Sequence, residues 1–434
     1  MALFRIQETK SSVVTEILAG ITTFVTMSYI IFVNPGILSQ TGMDFDALVV
    51  VTCLASALGT FLMAILADYP IALAPGMGLN AFFAFGVVLN MKINGAPVTW
   101  QMALAAIFIE GLVFFVLTLT KIREMVMDTI PKSLKIGISA GIGLFITFIG
   151  LQSAGIVVDN SATLLELGNF KNNIPALLSM GGLFLIAILT AWKVQGALLI
   201  GILVITAVAA GLGLVTPPET FVSTPPSIMP LVGKFDFSLV KELDFWVIVF
   251  TFFFVDFFDT IGTLIGVCNR SGLLDENGKL PRARGALMAD AIATMAGALM
   301  GTSTVTSYVE SSSGVAQGGR TGLTAVTTAV LFVAAIFFTP IVKMVPGYAT
   351  APALIMVGIY MMMSLRDLNY DDLTDLIPSL LGFFMMPLAY SIAVGIEFAI
   401  VSYVVIKLLT GKVRDISWLM AVLAVLFIAK EVFF

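Results

Sequence analysis

The chain has 434 residues, 59% of them hydrophobic and only 11% charged, with a mean hydropathy of +1.05. A soluble domain is nearer half apolar and a quarter charged, so this composition excludes one and calls for a polytopic membrane protein. The formal net charge of −5 argues against nucleic acid as a partner, and the complete absence of histidine removes the usual near-neutral proton carrier and the commonest ligand of catalytic zinc.

Apolar runs fall at about 13–33, 47–66, 71–89, 100–120, 133–153, 173–192 and 195–215. After a polar, proline-rich stretch at 216–243 (217-PPETFVSTPPSIMP-230) they resume near 244–268, 285–300, 302–316, 321–343, 350–364, 375–392 and 393–410, with a last run at 415–433. At roughly 20 residues per span the chain has room for about 13 to 15. The runs are too long and continuous for barrel strands, so they are expected to be helices. The amino end, MALFRIQETKSSVVTEILAG, is polar before a long apolar run and reads as a first span rather than a cleavable signal. Stretch 415–433 either crosses the membrane or lies along it. Cys53 and Cys268 sit in or beside apolar runs and read as small buried hydrophobes, with no disulfide framework or metal site.

Basic residues cluster at Lys121, Arg123, Lys132 and Lys135, at Arg270, Lys279, Arg282 and Arg284, and at Lys412 and Arg414. Placing these loops inside puts the amino terminus inside too. The halves show internal similarity: 130-IPKSLKIGISAGIGLFITFIGL-151 resembles 345-VPGYATAPALIMVGIYMMMSL-365, and 174-IPALL-178 resembles 377-IPSLL-381. About seven spans separate the partners, an odd number, so the second copy enters from the opposite side; inverted repeats of this kind mark transporters.

Two segments in corresponding places are oddly built, 70-PIALAPGMGLNAFFAFGVV-88 and 301-GTSTVTSYVESSSGVAQGG-319. Proline and glycines interrupt the first, and Thr302, Thr304 and Thr306 favour extended backbone in the second. A strand running into a half-helix is expected in each. Such backbone is tolerated at membrane depth only when buried in protein or lining a cavity, and a half-helix leaves its first N–H groups free for a ligand.

The run 251-TFFFVDFFDTIGTLIGV-267 is long enough to cross a bilayer yet carries Asp256 and Asp259. An intramembrane carboxylate costs several kcal/mol or more, so a function is expected of it. Asp256 and Asp259 are three apart and expected to share a helix face, with Thr263 four beyond Asp259. Asp259, Thr263 and Glu310 are expected to converge on one cavity. It would suit a neutral heterocycle with adjacent N–H and C=O groups, and a buried carboxyl there could take up and release a proton. For Asp256 a helix-bundle contact is an equal expectation. Glu110 and Glu397 are read as structural or interface acids, Asp68 and Glu16 as wet span ends, and Asp290, after Arg282 and Arg284, as a paired structural acid. The loop 275-DENGKLPRARG-285 lacks the remaining ligands of a calcium loop and reads as a turn, and no P-loop occurs to support ATP drive.

The stretches 20-GITTFVTMSYIIFVNP-35, 72-ALAPGMGLNAFF-83, 255-VDFFDTIGTL-264, 272-GLLDENGKLPRARGALMADA-291 and 301-GTSTVTSYVESSSGVAQGGRTGLTA-325 together resemble the AzgA-like purine permeases of the xanthine/uracil permease (nucleobase–cation symporter) superfamily. The resemblance covers essentially the whole chain. It implies an all-α polytopic membrane protein of about 14 transmembrane segments in two inverted seven-span repeats, with the third and tenth broken into strand and half-helix. It implies a core domain (13–120 and 244–343), a gate domain (133–215 and 346–411) and a carboxyl-terminal apolar segment (412–434).

The implied activity is import of guanine, hypoxanthine or adenine with protons by alternating access, in the inner or plasma membrane, by a homodimer with a cytoplasmic amino terminus and no cofactor or metal. By residue matching, Asp259 and Glu310 bind the base, with Tyr308 and Val309 beside Glu310. Gly76, Met77, Gly78, Asn80 and Thr26 line the site. Uracil-transporting relatives carry a histidine one turn after the first acid, where this chain has Thr263. The proton role therefore passes to Glu310, Asp259 or Asp256. The rival is a channel or anion transporter on the same fold, for which the acidic site is a poor match. An intramembrane enzyme lacks its histidine, metal cluster or facing aspartates.

Overall fold

The computed structural model describes residues 4–9, 11–120, 130–273 and 280–433. Lys121, Arg123 and residues 275–279 of the turn at 275–285, Lys279 among them, lie outside the described residues. Among those described, nine helices are long and apolar enough to cross a membrane, and shorter apolar helices accompany them at Met77–Val88, Ala197–Gly211, Leu373–Leu388 and Trp418–Ala429.

The first half runs α1 (Val13–Met27), α2 (Ile30–Leu38), α3 (Phe45–Ala67), β1 (Leu73–Pro75) and α4 (Met77–Ala81), which widens into a π-helical stretch at Phe82–Val88. After a short hairpin of β2 (Lys92–Ile93) and β3 (Ala96–Pro97) come α5 (Trp100–Leu119) and α6 (Lys132–Ser153). A second hairpin, β4 (Val157–Asn160) with β5 (Leu164–Leu167), leads to α7 (Ile174–Ala191) and α8 (Ala197–Gly211). Residues 212–242, where the prolines cluster, form neither helix nor strand. The second half runs α9 (Leu243–Ser271), α10 (Ala283–Met300), β6 (Val305–Ser307), α11 (Ser311–Ala316), α12 (Gly322–Ala335), α13 (Thr339–Met344), α14 (Gly347–Met362), α15 (Leu373–Leu388) and α16 (Ile392–Leu409). A last helix, α17 (Trp418–Phe433), packs along α16, with Phe427 6.2 Å from Phe250 between ring centroids. Polar side chains start the long helices: Asp44 Oδ1 accepts from the Ala47 N–H at 2.8 Å before α3, and Asn173 Oδ1 from the Ala176 N–H at 3.1 Å before α7.

The order helix, strand, half-helix in α3–β1–α4 recurs in α10–β6–α11. The strands pair antiparallel in register Leu73↔Ser307, Ala74↔Thr306 and Pro75↔Val305. Two units of the same order whose strands run opposite ways form an inverted repeat. Backbone in an apolar interior must find every partner inside the protein, and both halves solve this alike. Thr60 of α3 accepts the Leu73 N–H at 2.9 Å and donates to the Leu73 carbonyl at 3.0 Å. Thr294 of α10 does the same for Val305, at 3.3 and 3.0 Å. Each threonine serves the outer edge of the strand that follows its own helix.

Helices α1, α3, α5, α9, α10 and α12 pack around the strand pair, while α6, α7, α8, α14, α15 and α16 pack mainly on one another. In the second group α6 and α14 approach at glycines. A Cβ on Gly143 would sit 2.6 Å from the Gly358 carbonyl, and one on Gly358 would meet the Gly143 carbonyl in return. In the last turn of α16, Lys407 is buried against Asp375 (2.6 Å) and Asp415 (3.2 Å). Lys412 pairs with Asp372 at 2.8 Å and holds that carboxyl well below the usual range.

Two acids expected to be wet are not. Glu16 is fully buried and accepts the N–H groups of Arg320 (3.0 Å) and Thr321 (3.2 Å) and the Thr324 hydroxyl (2.5 Å). Asp68 accepts the Gly322 N–H at 2.7 Å and pairs with Arg282 at 3.1 Å. Both carboxylates supply the start of α12, whose orphan N–H groups need acceptors. With Arg282 engaged there and Arg284 exposed, Asp290 has no arginine partner among the described residues, and it accepts from the Thr260 hydroxyl instead. Cys53 and Cys268 are buried and form no disulfide.

Candidate functional site

The strand pair hands the chain to α4 on one side and α11 on the other, and α9 runs past both. Glu310 immediately precedes α11, and the Tyr29 hydroxyl donates to its Oε1 at 2.6 Å. Tyr308, buried two residues earlier, donates to the Pro75 carbonyl at 2.5 Å and so ties β6 to the end of β1. Asp259 lies within electrostatic reach of Glu310, and Tyr308 of both acids. Tyr360 of α14 joins them from the other helix group, sharing a hydrogen bond with Thr190 at 2.9 Å. Asp259, Thr263 and Glu310 keep partial exposure. Two acids and three tyrosines therefore come together where the helix groups adjoin.

Asp256 does not stay with Asp259. It is completely buried and turns toward Glu110, Asp290 and Thr306. Three residues on a helix leave about 60° between side chains, enough for one to be sealed among neighbouring helices while the other keeps partial exposure.

The glycine-rich stretch serves close approach. A Cβ on Gly76 would lie 2.8 Å from Thr306 Cγ2, and one on Gly78 would lie 2.5 Å from Ile142 Cγ2, so Gly78 lets α4 press on α6. Met77 is buried beside them. Asn80 is fully buried, its Oδ1 accepting from the Ser303 hydroxyl, which fixes the end of one broken segment to the start of the other. Thr26 is half-buried and donates to the Thr22 carbonyl at 2.8 Å. Val309 is 54% exposed, so its side chain leaves the acid cluster.

The expected free N–H groups at the start of α11 are taken. Ser311, Ser312 and Ser313 donate to the carbonyls of Tyr308, Val309 and Glu310 at 3.2, 2.9 and 2.9 Å. Tyr29 and Tyr360 were missed in the sequence. The signal was present: a hydroxyl inside an apolar span needs a partner, and 20-GITTFVTMSYIIFVNP-35 holds one tyrosine in such a place.

A family model described as "Permease family" matches residues 14–401. A putative permease of Methanocaldococcus jannaschii is 49% identical over 99% of this chain and 97% of its own length. Adenine permease AdeP of Escherichia coli is 46% identical over 99% of this chain and 95% of its own. Guanine/hypoxanthine permease PbuO of Bacillus subtilis is 44% identical over 98% of each. Among solved structures, the transmembrane domain of a cyanobacterial bicarbonate transporter, BicA, superposes with a TM-score of 0.65 at 14% identity, covering 89% of this chain and 97% of that one. The murine solute carrier 26 family member A9 anion transporter, in an inward-facing state, gives 0.60 at 12%, covering 90% and 68%. These two share the fold alone. With a family match across nearly the whole length and an inverted repeat built around two broken segments, the chain belongs to this permease family and is a multi-pass membrane transporter, not an enzyme.

Proposed function

We propose that the chain imports purine nucleobases by proton symport with alternating access. The observation that carries the reading is the pair Asp259 and Glu310, two partly open carboxyls that face each other beside the strand pair, with Glu310 oriented by Tyr29. A purine presents ring N–H groups beside carbonyl or amino groups, and carboxylates at membrane depth are the natural acceptors for those N–H groups. The curated relatives named for adenine and for guanine/hypoxanthine point to the same class of substrate.

Glu310 and Asp259 each accept an N–H of the base, and Tyr308 holds the floor of the site by its bond to Pro75. Gly76, Met77, Gly78, Asn80, Thr26 and Thr263 form the surrounding shell, and Val309 contributes only backbone beside Glu310. Residues 13–120 and 244–343 act as the core that carries the base, and 133–215 and 346–411 as the gate against which it moves. The separate packing of the two helix groups supports that division. Tyr360, from the gate side, lies close enough to sense whether Glu310 is occupied. The protein works in the cell membrane as a homodimer, its amino terminus cytoplasmic. The solved neighbours named for bicarbonate and anions raise a channel or anion transporter as a second reading, but a site built on two acids repels an anion.

Equilibrium binding to the purified protein tests the proposal, with radiolabelled adenine, guanine and hypoxanthine competed by one another and by uracil and bicarbonate. One or more purines bind saturably and are displaced by purines only. Saturable binding of bicarbonate, with no purine binding, overturns it. Tyr29→Phe removes the donor that aims Glu310. A hydrogen bond to a charged group is worth roughly 1.5–3 kcal/mol, so purine affinity in the same assay falls at least about tenfold.

A further inference from the structure

A second acidic centre lies beside Thr304 and Thr306 of the second broken segment. Glu110 of α5, Asp256 of α9 and Asp290 of α10 each have 0% exposure, and Asp256 acts on both of the others. Thr304 lies beside Glu110, and Thr306, Glu110 and Asp290 beside Asp256, but the oxygens of Glu110, those of Asp256 and Oδ2 of Asp290 make no well-formed hydrogen bond among the described residues. The remaining Asp290 oxygen accepts from the Thr260 hydroxyl at 2.9 Å, which lies 2.6 Å from the Thr306 hydroxyl on β6. Thr304 of the second broken segment brings one more hydroxyl to Glu110. It too is fully buried and has no standard hydrogen bond among the described residues.

The groups that act on this cluster most strongly are acids and hydroxyls: one another, Asp259, Thr260, Thr304 and Thr306. Of the two arginines that precede Asp290 in sequence, Arg282 is paired with Asp68 and Arg284 is exposed. Three adjacent negative charges without a cation do not persist in a low-dielectric interior, so the cluster must carry protons. A purely structural polar network would instead have its oxygens filled by fixed donors. With hydroxyls and carboxyls beside these oxygens, but no well-formed bond to the cluster except that from Thr260 to Asp290, a proton can be held in more than one place. Asp256 also feels Asp259, three residues along the same helix, which links the sealed cluster to the open acid pair.

We propose that Glu110, Asp256 and Asp290 form a shared proton-binding site beside Thr304 and Thr306, distinct in its residues from the base-binding pair Asp259 and Glu310 and joined to it through Asp256. A proton passes between carboxyl oxygens, one O–H breaking as another forms, and water supplies and receives it at either membrane face. The proposal rests on the permease reading above. Base binding and proton coupling then use different residues, and substitutions should separate them.

Glu110→Gln and Asp290→Asn keep the volume of each side chain. Reconstituted into liposomes, both variants are expected to bind purine within about twofold of the parent protein and to exchange labelled for unlabelled base without a gradient. Accumulation driven by an inward pH gradient is expected to stop at the level of simple equilibration, and Glu110→Asp to restore part of it. Full pH-driven accumulation by both variants overturns the proposal. So does a parallel loss of binding, exchange and accumulation, which marks the cluster as structural. Accumulation that follows a sodium gradient in the parent protein and loses that dependence in the variants makes the site one for a metal cation and also overturns it. The infrared band of protonated carboxyls gives a readout independent of any base. The parent protein should show buried carboxyl intensity that shrinks in each variant, and an unchanged band overturns the proposal. If the parent protein binds no purine, the functional reading fails instead, and the infrared band alone decides the cluster.

Discussion

Asp259→Ala abolishes pH-driven purine accumulation and weakens purine binding by about one to two orders of magnitude, while leaving the folded protein as stable as before or slightly more so. The loss follows from truncating one of two carboxylate acceptors, since a hydrogen bond to a charged group is worth roughly 1.5–3 kcal/mol. The base N–H it served is then left unpaired inside the protein, which adds to the penalty. The stability follows from the surroundings. Asp259 faces another acid, Glu310, so its removal relieves like-charge repulsion rather than breaking an ion pair. Binding by isothermal calorimetry and thermal unfolding of the purified protein, measured on the same samples, check both halves. A fall in stability to match the fall in binding would mean that Asp259 holds the fold and not the substrate.

Gly143→Leu is expected to damage the fold itself. A Cβ at that position would lie 2.6 Å from the Gly358 carbonyl and 2.7 Å from the Met361 side chain, and the carbonyl belongs to helix backbone that cannot swing aside. The helices α6 and α14 would have to separate along a contact that organises their whole group. Overpacking in a filled interior costs about 1–3 kcal/mol, and more where backbone must shift. Gly143→Leu should therefore lower the unfolding temperature in detergent and the yield of monodisperse protein. Gly181→Leu is the control: nothing lies within 4 Å of a Cβ placed there, and it should leave both unchanged.

Much of this architecture is legible in the residues because a bilayer leaves few choices. Long apolar runs must be helices, and interruptions such as 72-ALAPGMG-78 and 301-GTSTVTS-307 must be buried, which is why the paired strands fall where proline, glycine and threonine break the pattern. The roles of Asp259 and Glu310 are inferable for a similar reason: an acid at membrane depth demands a use. Contacts between distant segments are not written in local pattern. Tyr29 lies 281 residues from Glu310, and nothing in its own span says which acid it will meet. Glu16 and Asp68 look like wet ends until α12 starts beside them and claims their oxygens. Asp256 follows the helix period yet is sealed in with Glu110 and Asp290 while Asp259 keeps partial exposure, a difference set by neighbours on other helices. The serine-rich start of α11 promised free donors, but its turn consumes them locally, as serine-rich turns tend to do.

The measurement that tests the central claim most directly is uptake of radiolabelled adenine, guanine, hypoxanthine and uracil into liposomes containing the purified protein, with and without an inward proton gradient. Purine accumulation above the external concentration, abolished by a protonophore and absent in empty liposomes, is the predicted result. Failure to take up any purine, or uptake that is indifferent to the proton gradient, would contradict it.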